Sequence, residues 1–199
     1  MKIGILGAGI VGEALARKLV KAGYEIAIAN SRGQESLKEL IAELGPKASA
    51  VTTEEASGNE VIILAVRWEN TDEVLAPLQS KLAGKILIDT TNPYSQNKWI
   101  FILPKGIVAS EIIAAKAPGA RVVKAFNSLY GKWLQDSPEV EGGNRVTFIS
   151  GDDEAAKIVV AKIATDLKFA PIDLGTLKDG EPSQGGRVLV GKNLILMKD

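Results

Sequence analysis

The sequence predicts an α/β protein built on a doubly wound, mainly parallel β-sheet. The first observation is that short apolar runs alternate with segments whose apolar residues recur at helical spacing. The second is that runs such as Val61–Val66 are apolar throughout, as in parallel strands buried on both faces. The third is a glycine-rich turn, Gly7–Gly12, between the first predicted strand and helix. Parallel strands need crossover connections, so helices should cover both faces of the sheet.

The first half of the chain begins with a strand, a turn and a helix. The apolar run Lys2–Leu6 predicts a strand. Val11, Leu15 and Leu19 follow at helical intervals. Gly23 then suits a helix C-cap. The next predicted elements are a strand at 24–29, a helix at 34–44 ended by Gly-Pro, a strand at 48–52, a short helix at 53–57 and a strand at 61–66.

The second half continues this alternation and then becomes less regular. The predicted elements are a helix at 70–82, a strand at 85–89, a helix at 110–116, a strand at 121–126, a strand at 145–149, a helix at 152–167 and a strand at 170–173. Asp152, Asp153 and Glu154 open the last helix, where acidic side chains cap the chain and complement the helix dipole. We therefore assign them to capping and predict no metal site.

The chain is expected to divide into a dinucleotide-binding domain at 1–130 and a small C-terminal extension at 131–199, packed on the same sheet. Two apolar patches, Val188–Val190 and Leu194–Met197, lie in the extension. They are equally compatible with a homodimer contact and with a final pair of core strands.

Composition excludes several classes of function. Lys plus Arg and Asp plus Glu number 24 each, so the chain lacks the overall positive field that gathers nucleic acid or an anionic membrane. There is no cysteine or histidine, which excludes thiolate chemistry and removes the usual proton shuttle near pH 7. No run approaches the roughly 20 apolar residues of a membrane span, and no signal peptide is apparent. We expect a cytoplasmic protein.

The glycine-rich turn has the spacing GxGxxG and is expected to bind a dinucleotide, as in Rossmann-type folds. In such turns the first glycine permits the tight bend, the second lets backbone N–H groups approach the pyrophosphate, and the third allows close packing. The helix N-terminus then stabilises the phosphate charge. The residues assigned to this site are Gly7, Ala8, Gly9, Ile10, Val11 and Gly12.

The end of the second strand indicates which dinucleotide is bound. NAD sites usually carry an acidic residue there, which bonds the ribose hydroxyls. This chain has Asn30, Ser31 and Arg32 instead. A guanidinium forms charge-assisted hydrogen bonds with a 2′-phosphate, and a serine hydroxyl donates one more. The sequence therefore predicts NADP, with a solvated turn as the alternative.

The remaining site residues are expected in loops beyond the carboxyl ends of the strands, where ligands of such sheets bind. Trp68 and Tyr94 could flank a planar ring, and Asn92 could bond its amide or carbonyl edges. Arg67 faces either a phosphate or solvent. Lys124 receives no role. We assign Arg67 and Asn92 to the cofactor, and to the acceptor Trp68, Pro93, Tyr94, Asn127 and Ser128.

Several motifs together resemble the NADP oxidoreductases that use a deazaflavin coenzyme. They are GAGIVG, NSR, DTTNPY, VVKAFN, GDDEAAK and PIDLGTL, and the resemblance covers about residues 1–177. The chain is also similar to the reductase domain of the six-transmembrane metalloreductases, which work with a flavin. The resemblance implies that residues 7–11 cradle the pyrophosphate, that Ser31 and Arg32 hold the 2′-phosphate, and that Ala65 and Val66 line the nicotinamide half. The deazaflavin reductases carry a histidine where this chain has Asn127, so the acceptor stays open between flavin and deazaflavin.

The chemistry favours transfer of a hydride from NADPH to a small-molecule, flavin-type ring. Ring-to-ring transfer needs proximity and alignment, and the cofactors carry the carbon chemistry. A dehydrogenase acting on an alcohol or carbonyl would need a group to move a proton. Two alternatives stay open: a β-hydroxyacid dehydrogenase or pyrroline-carboxylate reductase type of enzyme, which would add a helical domain, and a non-catalytic NADP sensor.

Overall fold

A single mixed sheet organises the protein in the computed structural model, which describes residues 1–95 and 100–198. The strands in this part of the chain are β1 (Lys2–Leu6), β2 (Glu25–Ala29), β3 (Ala48–Ala50), β4 (Val61–Leu64), β5 (Ile86–Asp89), β6 (Arg121–Lys124), β7 (Glu139–Val140), β8 (Gly143–Gly151), β9 (Ala170–Asp173) and β10 (Ile195–Met197). The α-helices are α1 (Ile10–Lys21), α2 (Lys38–Leu44), α3 (Thr53–Ala56), α4 (Thr71–Leu75), α5 (Gln79–Leu82), α6 (Ala109–Lys116), α7 (Gly131–Gln135) and α8 (Glu154–Asp166).

The first six strands form a parallel sheet in the order β3-β2-β1-β4-β5-β6. The direction of winding reverses beside β1, whose last residue Leu6 pairs with Ala29 on one side and Leu64 on the other. In doubly wound sheets, ligands bind at the carboxyl ends of the strands next to this reversal. The predicted Rossmann-type α/β fold is confirmed.

Apolar layers cover both faces of the sheet. Neighbouring residues of β4 alternate between them: Ile63 belongs to the layer beneath α1, α2 and α8, whereas Ile62 belongs to the layer beneath α4, α5 and α6. All four residues of β4 are buried. This two-sided burial is why the run reads as continuously apolar in the sequence.

Several predicted elements have other bounds in the structure: the strand at 61–66 ends at Leu64, the helix at 34–44 begins with a 3-10 turn at Gln34–Leu37, and the strand at 145–149 extends over Gly143–Gly151. Two further differences have evident local reasons. The predicted helix at 70–82 is divided into α4, a 3-10 turn at Ala76–Leu78 and α5, because Pro77 cannot donate a helical hydrogen bond. The predicted strand at 121–126 ends at Lys124, because Phe126 has a left-handed φ of 59° that leaves the strand conformation.

The later strands extend the same sheet. β8 pairs antiparallel with β6, and β9 pairs in parallel with β8. Asp153 caps α8, since its side chain accepts a hydrogen bond of 2.7 Å from the Ala156 N–H, and Glu154 lies in the first turn of the helix. The capping prediction is wrong for Asp152, whose side chain accepts instead from the Leu177 N–H at 2.9 Å.

The two apolar patches of the C-terminal extension have different structures. Ile195–Met197 forms β10, an edge strand paired antiparallel with β8. Val188–Val190 lies in a turn region rather than in a strand. The prediction of a final pair of core strands is thus correct only in that one patch forms a strand, since Leu196 and Met197 of β10 are exposed and Val188–Val190 forms no strand. The homodimer contact remains a prediction. Of the helices in the described ranges, none has the length and apolar character to cross a bilayer.

Candidate functional site

The glycine turn leaves an open surface at the N-terminus of α1. Gly7 has φ of +109°, and a Cβ there would lie 2.3 Å from the Ala65 carbonyl oxygen. A Cβ on Gly12 would lie 2.0 Å from the Gly7 carbonyl oxygen. A Cβ on Gly9, in contrast, would meet no atom within 4 Å. The first and third glycines therefore permit the bend and the packing, and the second leaves space for a ligand.

The amide groups at this open surface can hold an anion. Gly9 is the N-cap of α1 and supplies no side-chain cap to the helix. The first N–H groups of a helix lack intrahelical acceptors and carry partial positive charge. Together with the space above Gly9, they give the turn the shape and polarity that a diphosphate requires. The residues present fit a dinucleotide.

Asn30 shapes the turn that follows β2. Its side-chain oxygen accepts hydrogen bonds from the Arg32 N–H at 3.0 Å and from the Ser36 hydroxyl at 3.2 Å. Ser31 and Arg32 are exposed on the resulting turn. Within the described residues, Arg32 forms no ion pair, so its guanidinium is available to an anion. Asn30 therefore acts as the organiser of this turn, with Ser31 and Arg32 at its surface.

A cavity of about 500 Å³ lies beyond the carboxyl ends of the parallel strands. It extends from the glycine turn to the loops after β4, β5 and β6 and to the C-terminal extension. Ten predicted site residues line it: Gly9, Ile10, Val11, Ala65, Val66, Arg67, Trp68, Asn92, Tyr94 and Asn127. The others lie outside its described lining: Gly7, Ala8 and Gly12 in the turn, Asn30, Ser31 and Arg32 after β2, and Pro93 and Ser128 in the loops.

Two predicted aromatic residues line the cavity, and each ring also contacts another side chain of the protein. The Lys116 ammonium lies 5.2 Å from the centroid of the Trp68 ring. Tyr94 meets Phe101 edge to face, with 6.4 Å between ring centroids. Its hydroxyl accepts a hydrogen bond of 3.2 Å from the Gly186 N–H. Both rings are half-buried, so each has surface to offer a planar ligand.

The amide groups of Asn92 and Asn127 bond mostly to the protein. Asn92 donates to the Asn127 carbonyl oxygen at 2.8 Å and accepts from the Gly185 N–H at 2.8 Å. The Asn127 amide donates to the Ser183 carbonyl oxygen at 2.7 Å and to Asn92 Oδ1 at 3.2 Å. Both hydrogens of the Asn127 amide are thereby used, and its own oxygen has no partner among the described residues. These side chains hold the loops together as well as lining the cavity.

Comparison with known proteins places this site in a family. A solved structure of a hypothetical protein, SMa0349 from Sinorhizobium meliloti, matches with a TM-score of 0.91 and 37% identity, over 100% of this chain and 97% of that one. The F420-dependent NADP reductase of Methanocaldococcus jannaschii is 28% identical over 89% of this chain and 85% of its own. The family model described as "NADP oxidoreductase coenzyme F420-dependent" matches residues 2–93. The N-terminal part of the chain, residues 2–93, therefore matches this NADP oxidoreductase family.

Another relative is a much longer protein than this chain. Metalloreductase STEAP3 of Rattus norvegicus is 35% identical over 178 residues, which are 88% of this chain and 34% of that protein. The chain therefore spans about a third of the length of the curated relative. The family likeness confirms an NADP-dependent oxidoreductase, while the acceptor of this member is a separate question.

Sequence reasoning missed several residues of the oxidoreductase's cavity. Tyr130 and Val190 line it, although neither belongs to a recognisable motif. Tyr130 stacks at a tilt on Trp133, with ring centroids 5.0 Å apart. A Cβ on Gly191 would lie 2.4 Å from the Tyr130 hydroxyl, so the C-terminal extension passes directly beside this ring. Such proximity depends on long-range folding, and the only local signal was the glycine content of 180–191.

Proposed function

We propose that this chain is an NADPH-dependent reductase whose acceptor is a flavin-like or deazaflavin ring. The observation that carries the proposal is one continuous cavity whose lining includes Gly9 of the glycine turn and the aromatic and amide side chains of Tyr94 and Asn127. A volume of about 500 Å³ is within the usual range of ligand pockets, and hydride transfer would require the nicotinamide and the acceptor ring to lie in contact within it. The likeness to the family supports NADP-dependent oxidoreduction, and the ring acceptor is the proposed part.

The residues that would hold NADPH lie in the glycine turn, in the turn after β2 and in the loop after β4. The amides of the glycine turn would bind the diphosphate, and Ser31 and Arg32 would bind the 2′-phosphate. Ala65 and Val66 would contact the nicotinamide half, since both line the cavity between the turn and the loop after β5. Arg67 is exposed at the rim of the cavity, where its guanidinium can reach a phosphate.

The lining suits hydride transfer between rings. NADPH, when bound, supplies a hydride with two electrons, and the acceptor ring is completed by one proton from water. The chain has no histidine to relay protons, and the charged residues in the described lining are Arg67 and Glu69, both after β4. Lys124 lies outside that lining and is 1% exposed. The role of the protein is therefore to align the two rings and to keep water out of the space between them.

An acceptor screen tests this proposal. Purified protein with NADPH would be offered riboflavin, FMN, FAD, a deazaflavin, ferric chelates and quinones, while absorbance at the nicotinamide band is followed. We expect rapid oxidation with at least one of the ring acceptors and slower oxidation with ferric chelate alone. NADPH binding without turnover on any acceptor would instead support the sensor. A failure to bind NADPH would reject both functions.

A further inference from the structure

A buried ion pair lies beneath the loop after β5. Lys124 at the end of β6 is register partner to Asp89 at the end of β5. The Lys124 ammonium lies 2.9 Å from Asp89 Oδ2, and the two side chains are 1% and 0% exposed. Neither residue lines the cavity. The pair is thus a part of the sheet that the chemistry proposed above does not use directly.

Among the described residues, every further side-chain hydrogen bond of the pair goes to Thr91. Asp89 Oδ1 accepts from the Thr91 N–H at 2.8 Å and from the Thr91 hydroxyl at 2.7 Å. The Lys124 ammonium donates to the Thr91 carbonyl oxygen. Both backbone groups of Thr91 are therefore bonded by side chains rather than by a neighbouring strand. This fixes the direction in which the chain leaves β5.

Thr91 is followed by Asn92, and both line the cavity. Asn92 in turn bonds the backbone of Asn127 and of Gly185, as described above. A continuous set of hydrogen bonds therefore runs from the ion pair through the loop after β5 to the loop after β6 and the C-terminal extension. Each of these three segments contributes to the acceptor end of the cavity.

Stability alone is a poor explanation for the pair. Removing two charges from water is costly, and apolar replacements of buried pairs are often neutral or stabilising. Here the charges provide three hydrogen bonds to one residue of a cavity loop, which apolar side chains would not provide. Charge-assisted hydrogen bonds are also stronger than neutral ones and hold their partners in a narrower range of positions.

We infer that Lys124 and Asp89 are positioning residues for hydride transfer, which act by fixing Thr91 and, through it, Asn92. The inference rests on the proposed function, because it names what orients the acceptor end of the same cavity. A positioning role and a purely structural role predict different results when the ion pair is removed. With a positioning role, the loops lose their alignment while the sheet keeps its fold.

Three variants distinguish a positioning role of the ion pair from a purely structural role. Lys124→Met combined with Asp89→Asn is uncharged and removes the donor to the Thr91 carbonyl, without leaving a lone buried charge. Lys124→Gln combined with Asp89→Asn is also uncharged, yet the two amides can restore the contacts to Thr91. The control is Lys157→Met on α8, which removes another buried lysine paired with Asp173 at 2.8 Å, away from the cavity.

The measurements are kcat for NADPH oxidation, the Kd of NADPH, and hydrogen exchange at the Gly185 amide, which reports its bond to Asn92. For the Met/Asn variant we expect kcat to fall by about ten- to a hundredfold, because misplacement by an ångström can cost that much. Its Kd should change less than about threefold, since the glycine turn and Arg32 are untouched and Asn92 is the one residue assigned to the cofactor that would shift. Exchange at Gly185 should accelerate more than exchange at Ile63 in β4. The Gln/Asn variant should recover most of kcat, and Lys157→Met should retain it.

The inference is overturned if the Met/Asn variant folds and keeps its kcat within twofold, or if exchange at Gly185 is unchanged. Failure of the proposed function is a different result, in which the unmodified protein oxidises NADPH with no acceptor. The exchange measurement needs neither ligand nor turnover, so it still tests whether the ion pair fixes the loop through Thr91 and Asn92.

Discussion

The side chain of Asn92 donates a hydrogen bond of 2.8 Å to the backbone carbonyl oxygen of Asn127. This bond joins the loops that follow two neighbouring parallel strands, β5 and β6. The Asn92 oxygen also accepts from the Gly185 N–H, so one amide connects three segments that are distant in the sequence. The acceptor end of the cavity is therefore held by side-chain bonds more than by regular secondary structure.

Replacement of Asn92 by alanine should destabilise these loops. The Gly185 N–H and the Asn127 carbonyl would lose their partners, and an unsatisfied buried polar group costs about 1–3 kcal/mol. Urea unfolding would measure the loss. Asn70→Ala is the matched control, because Asn70 is exposed and its side chain does not cap α4. Equal stability of the two variants would contradict the bridging role.

Arg32→Glu should weaken NADPH binding much more than NADH binding. The substitution removes charge-assisted hydrogen bonds to the 2′-phosphate, and each such bond contributes about 1.5–3 kcal/mol. Calorimetry should show a loss for NADPH of about ten- to a hundredfold and little change for NADH. Lys38→Glu on α2 makes the same change of charge nearby and should have a small effect. A similar loss for both nucleotides would argue against the 2′-phosphate assignment.

Gly9 and Gly12 should respond differently to alanine. Gly9→Ala places its Cβ in open space at a φ of −96°, so the fold should be unaffected while the diphosphate loses room. Gly12→Ala would press a methyl group against the Gly7 carbonyl, and overpacking of this kind costs about 1–3 kcal/mol. Thermal unfolding and NADPH titration would distinguish the two. The assignment fails if Gly9→Ala binds NADPH as tightly as the unmodified protein.

Tyr94→Leu should raise the KM for a ring acceptor without changing the affinity for NADPH. The aromatic ring lines the acceptor end of the cavity and would be lost as a stacking surface, which is commonly worth about 0.5–1.5 kcal/mol. We expect a KM about two- to tenfold higher by steady-state assay. Tyr24→Leu is the control, since Tyr24 is half-buried and bonded to Asp166 away from the cavity. An equal rise in both variants would indicate a general loss of packing.

Tyr24 should make stability fall at alkaline pH. Burial, together with the hydrogen bond to Asp166, raises the pKa of Tyr24 to about 12, whereas an unfolded tyrosine titrates near 10. The native state then retains a proton that the unfolded state releases, so this contribution is complete below about pH 10 and is lost as the pH rises to about 12. Unfolding curves of the protein and of Tyr24→Phe should converge over this range. Parallel curves would mean that Tyr24 titrates normally.

The sequence predicted the parts of the site that local patterns encode. The glycine turn, the exposed Ser31 and Arg32, and the loops at the strand ends all follow from spacing and from the rule for ligands of doubly wound sheets. Other features depend on contacts between segments that are distant in the sequence. They are the place of Val190 in the cavity lining and the ion pair between Lys124 and Asp89. Strand alternation alone left Lys124 equally compatible with an outer face, and only the register with β5 placed it beside a carboxylate.

The cavity takes residues from positions as distant as Gly9 and Val190. During synthesis at about 5–20 residues per second, the glycine turn leaves the ribosome roughly 10–35 s before Val190 does. The residues of the glycine turn are therefore synthesised well before the residue that lines the opposite side of the cavity. Any NADPH bound in that interval would have its nicotinamide ring open to water on the side of the cavity that Val190 later lines.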